Sequence, residues 1–354
     1  MNQSNLTILT RIYQKGTADL AGLLSGSDFQ RGKAAKLLAQ VDEISARLGS
    51  QTDRWVSSAV KSQYQAAAVD AESQVRRLGF TGGLAADVDF VKINERAVNV
   101  FATQLARDLA GANLDAADKA RRVISRTSQK IIADPEMSEI IAKGLISGGS
   151  LNNISRGLRT RLTQEGQKLL ESGTLSAPEL EEMADLQAGY ITAGQRRMKL
   201  SEYCGLVASH QLRQATVEAT KQRLADAGES MGDPMLFDLV TVVGPISGDF
   251  CDFYVGKIFS SSGKHPDYPP LSSIPQSGPP FHPNCTHTIA PFVIDLAGAD
   301  EIKRGKIAPQ FLNVDQRTAQ KQYTGIERGY AARRAESPQA SRSSVAIPHS
   351  PDGE

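Results

Sequence analysis

The sequence predicts a mainly α-helical protein: a helical N-terminal and central body, then a small α+β C-terminal module with a zinc-knuckle-like loop, then a disordered tail. Three observations predict it. Apolar residues recur at three- and four-residue spacing as far as about Gly228, the pattern of helices with one buried face. At Leu236 the period becomes that of extended chain, and Leu236, Phe237, Leu239, Val240, Val242 and Val243 are stopped by Gly244 and Pro245. Finally, His282, Pro283, Asn284, Cys285, Thr286 and His287 set three metal-ligand side chains in one short turn, with Cys251 upstream.

Composition bounds the classes of function. The chain has 354 residues, enough for two domains, and its 40 basic against 39 acidic residues leave no bulk charge to attract nucleic acid or a membrane surface. No apolar run approaches the roughly 18 residues of a membrane span, and the first residues lack the basic-then-apolar pattern of a secretion signal. The expectation is therefore a reducing cytoplasm and no membrane. Cys204, Cys251 and Cys285 are too few, and odd in number, for a disulfide framework.

Helices separated by short polar breaks are predicted from Asn5 to about Gly79. Leu37, Val41, Ile44 and Leu48 mark one helical face, with Gly49 and Ser50 expected to close that helix. From Thr52 a longer helix is predicted, with Val56, Val60, Tyr64, Ala67, Ala71 and Val75 on one seam. After the glycine-bearing break at 79–83, Ala97, Phe101, Leu105 and Leu109 predict a further helix, and helical turns continue over 115–133 until Asp134 and Pro135. Gly144 to Gly149 reads as a loop and Ser150 as the cap of a helix with Ile154, Leu158 and Leu162.

Ser176 and Glu179 have capping-box spacing, with Pro178 in the first turn. A long helix is expected from there to Gly228, kinked at Gly189 or Gly194. Cys204 and His210 lie on it and read as core residues rather than ligands. Short strands are predicted at 257–259 and 288–293, with the proline-rich stretch 268–280 as an ordered loop around the metal turn. The resulting divisions are 1–84, 85–232, 233–298, 299–332 with one or two polar helices, and 333–354, a tail rich in Ser, Pro, Arg and Ala.

The residue types at the turn allow three chemistries. A structural zinc with all four positions filled by Cys251, His282, Cys285 and His287 explains thiols and imidazoles gathered among turns. A catalytic zinc would keep a position for water and need a base; Asp249 and Asp252 flank Cys251, but no HExxH or HxE arrangement is present. In the third, there is no metal, and the two thiols are simply buried or oxidise together.

In the order of its motifs the chain resembles a known family. Leu239 to Val243 are followed by Asp249, then by Cys251, Tyr254, Gly256 and Lys257 as CxxYxGK, then by Ile258 to Ser260, Tyr268 and Pro269. Gly278 to His287 follow, including Pro283 and Asn284, and Pro291 ends the run. This looks like the C-terminal module of minor capsid and head-morphogenesis proteins of tailed bacteriophages, the Mu F-like group. The helical stretch from Asn94 to Leu162 and the helix with Tyr203 are similar in kind, so the resemblance covers about residues 85–295.

The resemblance implies a virion protein in few copies. It would act in head assembly near the portal vertex or in the capsid interior, after synthesis in the host cytoplasm. Its implied partners are portal protein and major capsid or scaffolding protein. Read from its own residues, the tail with Arg328, Arg333, Arg334 and Arg342 is a solvated segment, with contact to phage DNA as the alternative. Cys251, His282, Cys285 and His287 stand where the family's cysteine and histidine pattern falls. Many relatives carry cysteine where this chain has Tyr254, which makes His265 a spare candidate for the fourth ligand.

Overall fold

The computed structural model describes residues 3–25, 33–80, 94–133, 164–193 apart from 172 and 174, and 196–324. The expected loop at 144–149, the helix capped by Ser150, and the tail with its arginines lie outside these residues. The body is built from α1 (Gln3–Ser25), α2 (Ala34–Arg77), α3 (Glu95–Ala133), α4 (Gln164–Glu171), α5 (Ala177–Ala188) and α6 (Leu200–Ser230). α1, α2, α3 and α6 pack together. No helix among the described residues is long and apolar enough to cross a membrane.

The predicted seams are the ones that are buried. Leu37, Val41, Ile44, Leu48, Val56, Val60, Tyr64, Ala67, Ala71 and Val75 of α2 are all buried. One expectation fails here: Gly49 and Ser50 do not end a helix, because α2 runs through them for 44 residues. Leu48, Thr52 and Trp55 continue the buried stripe in register across the glycine, and the Asn113 amide donates to the Ser45 carbonyl at 3.0 Å beside it. That packing outweighs the roughly 1 kcal/mol that a mid-helix glycine costs. α3 likewise runs without interruption from Glu95 to Ala133, and the expected stop at Asp134 and Pro135 lies outside the described residues.

The capping box forms, with the Glu179 carboxylate accepting from the Ser176 backbone N–H at 2.8 Å. The long kinked helix expected after it does not. Gly189 takes a left-handed conformation (φ 70°) and caps α5. β1 (Tyr190–Ala193) and β2 (Arg196–Lys199) then pair antiparallel, Tyr190 opposite Lys199 and Ala193 opposite Arg196, before α6 begins. Tyr190, Ile191 and Thr192 are β-favouring residues placed just beyond a left-handed glycine, so the local preference is to turn and extend.

The C-terminal strands form where predicted: β3 (Leu239–Val243), β4 (Ile258–Ser260) and β5 (Thr288–Pro291). They make one antiparallel sheet in the order β4-β3-β5. Its core is larger than a free-standing knuckle would need. Phe237, Val240, Val242, Tyr254, Phe259 and Phe281 pack with Val75 of α2 and with Val217, Leu224 and Ala227 of α6. Residues beyond position 298 join them: Ile307, Phe311, Leu312, Ala319 and Tyr323 close the same cluster. α7 (Ala299–Gly305) lies just ahead of them. The proline-rich loop is pinned by Leu271, Ile274 and Phe281, all buried, as well as by the turn that follows it.

Candidate metal centre

β3 delivers the chain to a short loop, and Asp249 caps the 3₁₀ turn Phe250–Phe253 by accepting from the Cys251 N–H at 2.9 Å. That cap points the Cys251 side chain inward. From the other side, Phe281 anchors the chain in the core, and a turn closed by the Cys285 N–H donating to the His282 carbonyl at 2.9 Å leads into β5. The exposed Pro283 and Asn284 form the tip of that turn, and β5 starts one residue after His287.

The two segments bring His282, Cys285 and His287 each close to Cys251. Cys251 Sγ lies 3.9 Å from Cys285 Sγ and 2.9 Å from His282 Nε2, and Cys285 Sγ lies 3.3 Å from His287 Nδ1. Zinc bonds of about 2.3 Å to sulfur and 2.0 Å to nitrogen at tetrahedral angles set two sulfurs about 3.8 Å apart and sulfur and nitrogen about 3.5 Å apart. The thiol pair and the Cys285–His287 pair fit those edges. The donor atoms fall into two groups that share Cys251: Cys251, Cys285 and His287, and Asp249, Cys251 and His282.

Burial distinguishes the two groups. Cys251, Cys285 and His287 are 0, 1 and 2 % exposed. The side chains of His282 and Asp249 are 20 and 30 % exposed, with Nε2 3.2 Å from Asp249 Oδ2. Asp249 is thus a close neighbour of the centre that ligand spacing alone did not single out. Asp252 is occupied elsewhere, accepting from the N–H groups of Ser247 and Gly248 at 3.0 and 2.8 Å.

The electrostatics favour one thiolate. The Cys251 thiol donates toward Cys285, and His287 adds a second hydrogen bond, so the Cys285 pKa is brought down while that of Cys251 goes up. Burial opposes the Asp249 carboxylate, yet hydrogen bonds from Cys251 and the nearby His282 hold it below its ordinary value. The His287 pKa is raised, chiefly by the hydrogen bond to Cys285.

The other predicted residues support the centre from outside. Tyr254 stacks on Phe281 with centroids 5.0 Å apart and donates to the Phe311 carbonyl at 3.2 Å. It is core and not a ligand. Gly256, left-handed at φ 72°, returns its N–H to the Val242 carbonyl, and Lys257 Nζ reaches the Arg304 carbonyl at 2.7 Å. Tyr268 is buried, and the Pro269 carbonyl accepts from the Ser260 N–H. The spare candidate His265 belongs to neither donor group: its Nδ1 accepts from the Asp267 N–H and its ring meets Tyr268 edge-on.

Cys204 is a core residue of the body, its pKa pushed up to about 12 by burial. His210 is half-buried on α6, and burial lowers its pKa. It helps line a cleft of about 930 Å³ whose wall includes Arg107, Asp115, Arg196, Tyr203 and His282. The part that two residues play at the centre escaped the sequence reading. Gly244 allows the His287 ring to approach the backbone, and Arg213 donates to the Cys285 carbonyl. The first is legible only as a strand-ending glycine, and the second leaves no local signal.

These residues form a pocket of soft and borderline donors fit for a metal ion. No family model matches the chain, and neither a curated protein nor a solved structure does.

Proposed function

We propose that this chain is a structural protein of a tailed-bacteriophage head. In this reading it is a minor capsid component acting in assembly at or near the portal, with a C-terminal module fastened by one zinc ion. The observation that carries the zinc is the Cys251–Cys285–His287 cluster: two free thiols 3.9 Å apart beside an imidazole, buried, at tetrahedral edge lengths. His282 is the fourth ligand, reached by turning Nε2 from Asp249 toward the ion. When bound, the ion ties the loop before β4 to the turn before β5. The head-protein reading is supported by the order of motifs from Leu239 to Pro291. The helices of the body offer portal and shell subunits their surfaces, and the arginine-bearing tail offers phage DNA a contact.

Copurification with portal protein, together with detection in purified particles by mass spectrometry, tests this reading. Absence from both procapsids and virions would defeat it. A second reading, a metal-dependent hydrolase or nuclease packaged in the virion, is favoured by one feature: the partly exposed His282–Asp249 corner, whose His282 borders the 930 Å³ cleft. Zinc-dependent turnover lost in Asp249→Asn with the fold intact would support it, whereas a metal held by four protein ligands without turnover would exclude it.

A further inference from the structure

One side chain of α6 grips the backbone of the ligand-bearing turn: Arg213 donates from its guanidinium to the Cys285 carbonyl. Cys285 is the last residue of the tight turn, whose own closing hydrogen bond runs from the Cys285 N–H to the His282 carbonyl. Pro283 and Asn284, between them, are exposed. The backbone at Cys285 is therefore held by a helix of the body as well as by the buried side chains of Phe281, Cys285 and His287. Arg213 belongs to neither donor group.

We propose that Arg213 is an outer positioning residue of the metal centre: by holding the Cys285 carbonyl it fixes the turn on α6, so that metal affinity depends on the helical body. The proposal rests on the zinc reading. A tetrahedral site tolerates donor displacements of only about 0.5 Å. Cys285 enters the site from a turn whose tip is exposed, and the guanidinium holds the peptide that bears it. Partners that orient ligands in this way commonly change metal affinity by about 10–100-fold. The coupling also runs in reverse, since an ion that holds Cys285 holds the turn against α6.

The test is zinc competition between the full chain and a chromophoric chelator, for the unaltered protein, Arg213→Ala and Arg213→Lys. Arg213→Ala should bind zinc about 10–100-fold more weakly, and Arg213→Lys, which keeps one donor, should fall between. Cobalt-loaded Arg213→Ala should have altered ligand-field bands, which a purely structural loss elsewhere in the body would not produce. If Arg213→Ala folds poorly, Arg213→Gln is compared with the unaltered chain by the rise in melting temperature that saturating zinc gives, expected to shrink. Affinity within about threefold of the unaltered protein, with unchanged cobalt bands, overturns the proposal. Failure of the unaltered chain to bind zinc sinks the zinc reading instead.

Discussion

At Gly244 the backbone passes so close to His287 that a Cβ built there would lie 2.4 Å from the ring carbon Cδ2 and 3.1 Å from the His287 Cα. An imidazole ring and a backbone atom in β5's approach have little room to give, so a methyl group must displace the ligand. Gly244→Ala is expected to weaken zinc binding by about tenfold or more without altering any donor, as loss of an orienting partner does; unchanged affinity in chelator competition would contradict this. The thiol pair makes a second residue-level prediction. In metal-free protein, diamide should join Cys251 to Cys285, the two thiols giving their hydrogens to its nitrogen–nitrogen double bond. Thiol titration of the denatured chain should then fall from three to one, because Cys204 lies in the body's core, apart from the other two thiols. Zinc-loaded protein should keep all three, and equal oxidation of both forms would argue against shared sulfur ligation. Cysteine and histidine could be read as ligands from sequence because few other roles suit those types in a tight turn. Arg213 could not, since its contact spans 72 residues and an arginine on a helix has many uses.

Elements were legible where one face is apolar and obscure where a glycine's meaning depends on its neighbours. Gly49 sits inside a continuous helix and Gly189 ends one, yet both follow amphipathic stretches. The difference is tertiary: α2 has partners along its full seam, whereas the β1–β2 hairpin is tied down by charge. Lys119 of α3 donates to Asp185 of α5 at 2.5 Å and to the Tyr190 carbonyl at 3.2 Å, and Arg197 of β2 pairs with the same carboxylate. The Arg197 guanidinium also lies over the Tyr190 ring, 4.9 Å from its centroid. Removing Asp185 would leave the buried Lys119 without its ion-pair partner and Arg197 with only Glu181, at 3.7 Å. Asp185→Ala is therefore expected to cost about 3–5 kcal/mol in urea unfolding, and a loss under about 1 kcal/mol would place the hairpin's anchor elsewhere.

In the whole molecule, two separate apolar clusters decide what the ion does. The body's core, from Leu9 to Ala219, contains none of the metal-site residues, whereas the module's core includes Cys251 and Cys285 together with Val75, Val217, Leu224 and Ala227 of the helices. The strands and helices around β3 therefore have support of their own, while the exposed tip of the turn does not. Cys285→Ser should abolish zinc binding and open residues within about 245–290 to limited proteolysis, leaving the helical circular dichroism signal in place. Global unfolding would mean that the ion holds far more than a loop. Apparent binding energies for structural zinc on the order of 10 kcal/mol make such local dependence reasonable. The sequence made the module's motif order and its strands legible, but not its union with the body, because contacts from α2, α6 and residues 307–323 leave no periodic trace in the motif itself.

Elemental analysis with X-ray absorption at the zinc edge, on protein purified without added metal, tests the central claim most directly. One zinc per chain with two sulfur and two nitrogen neighbours, at about 2.3 and 2.0 Å, is the predicted result. A metal-free protein, or an ion surrounded by oxygen, would contradict it.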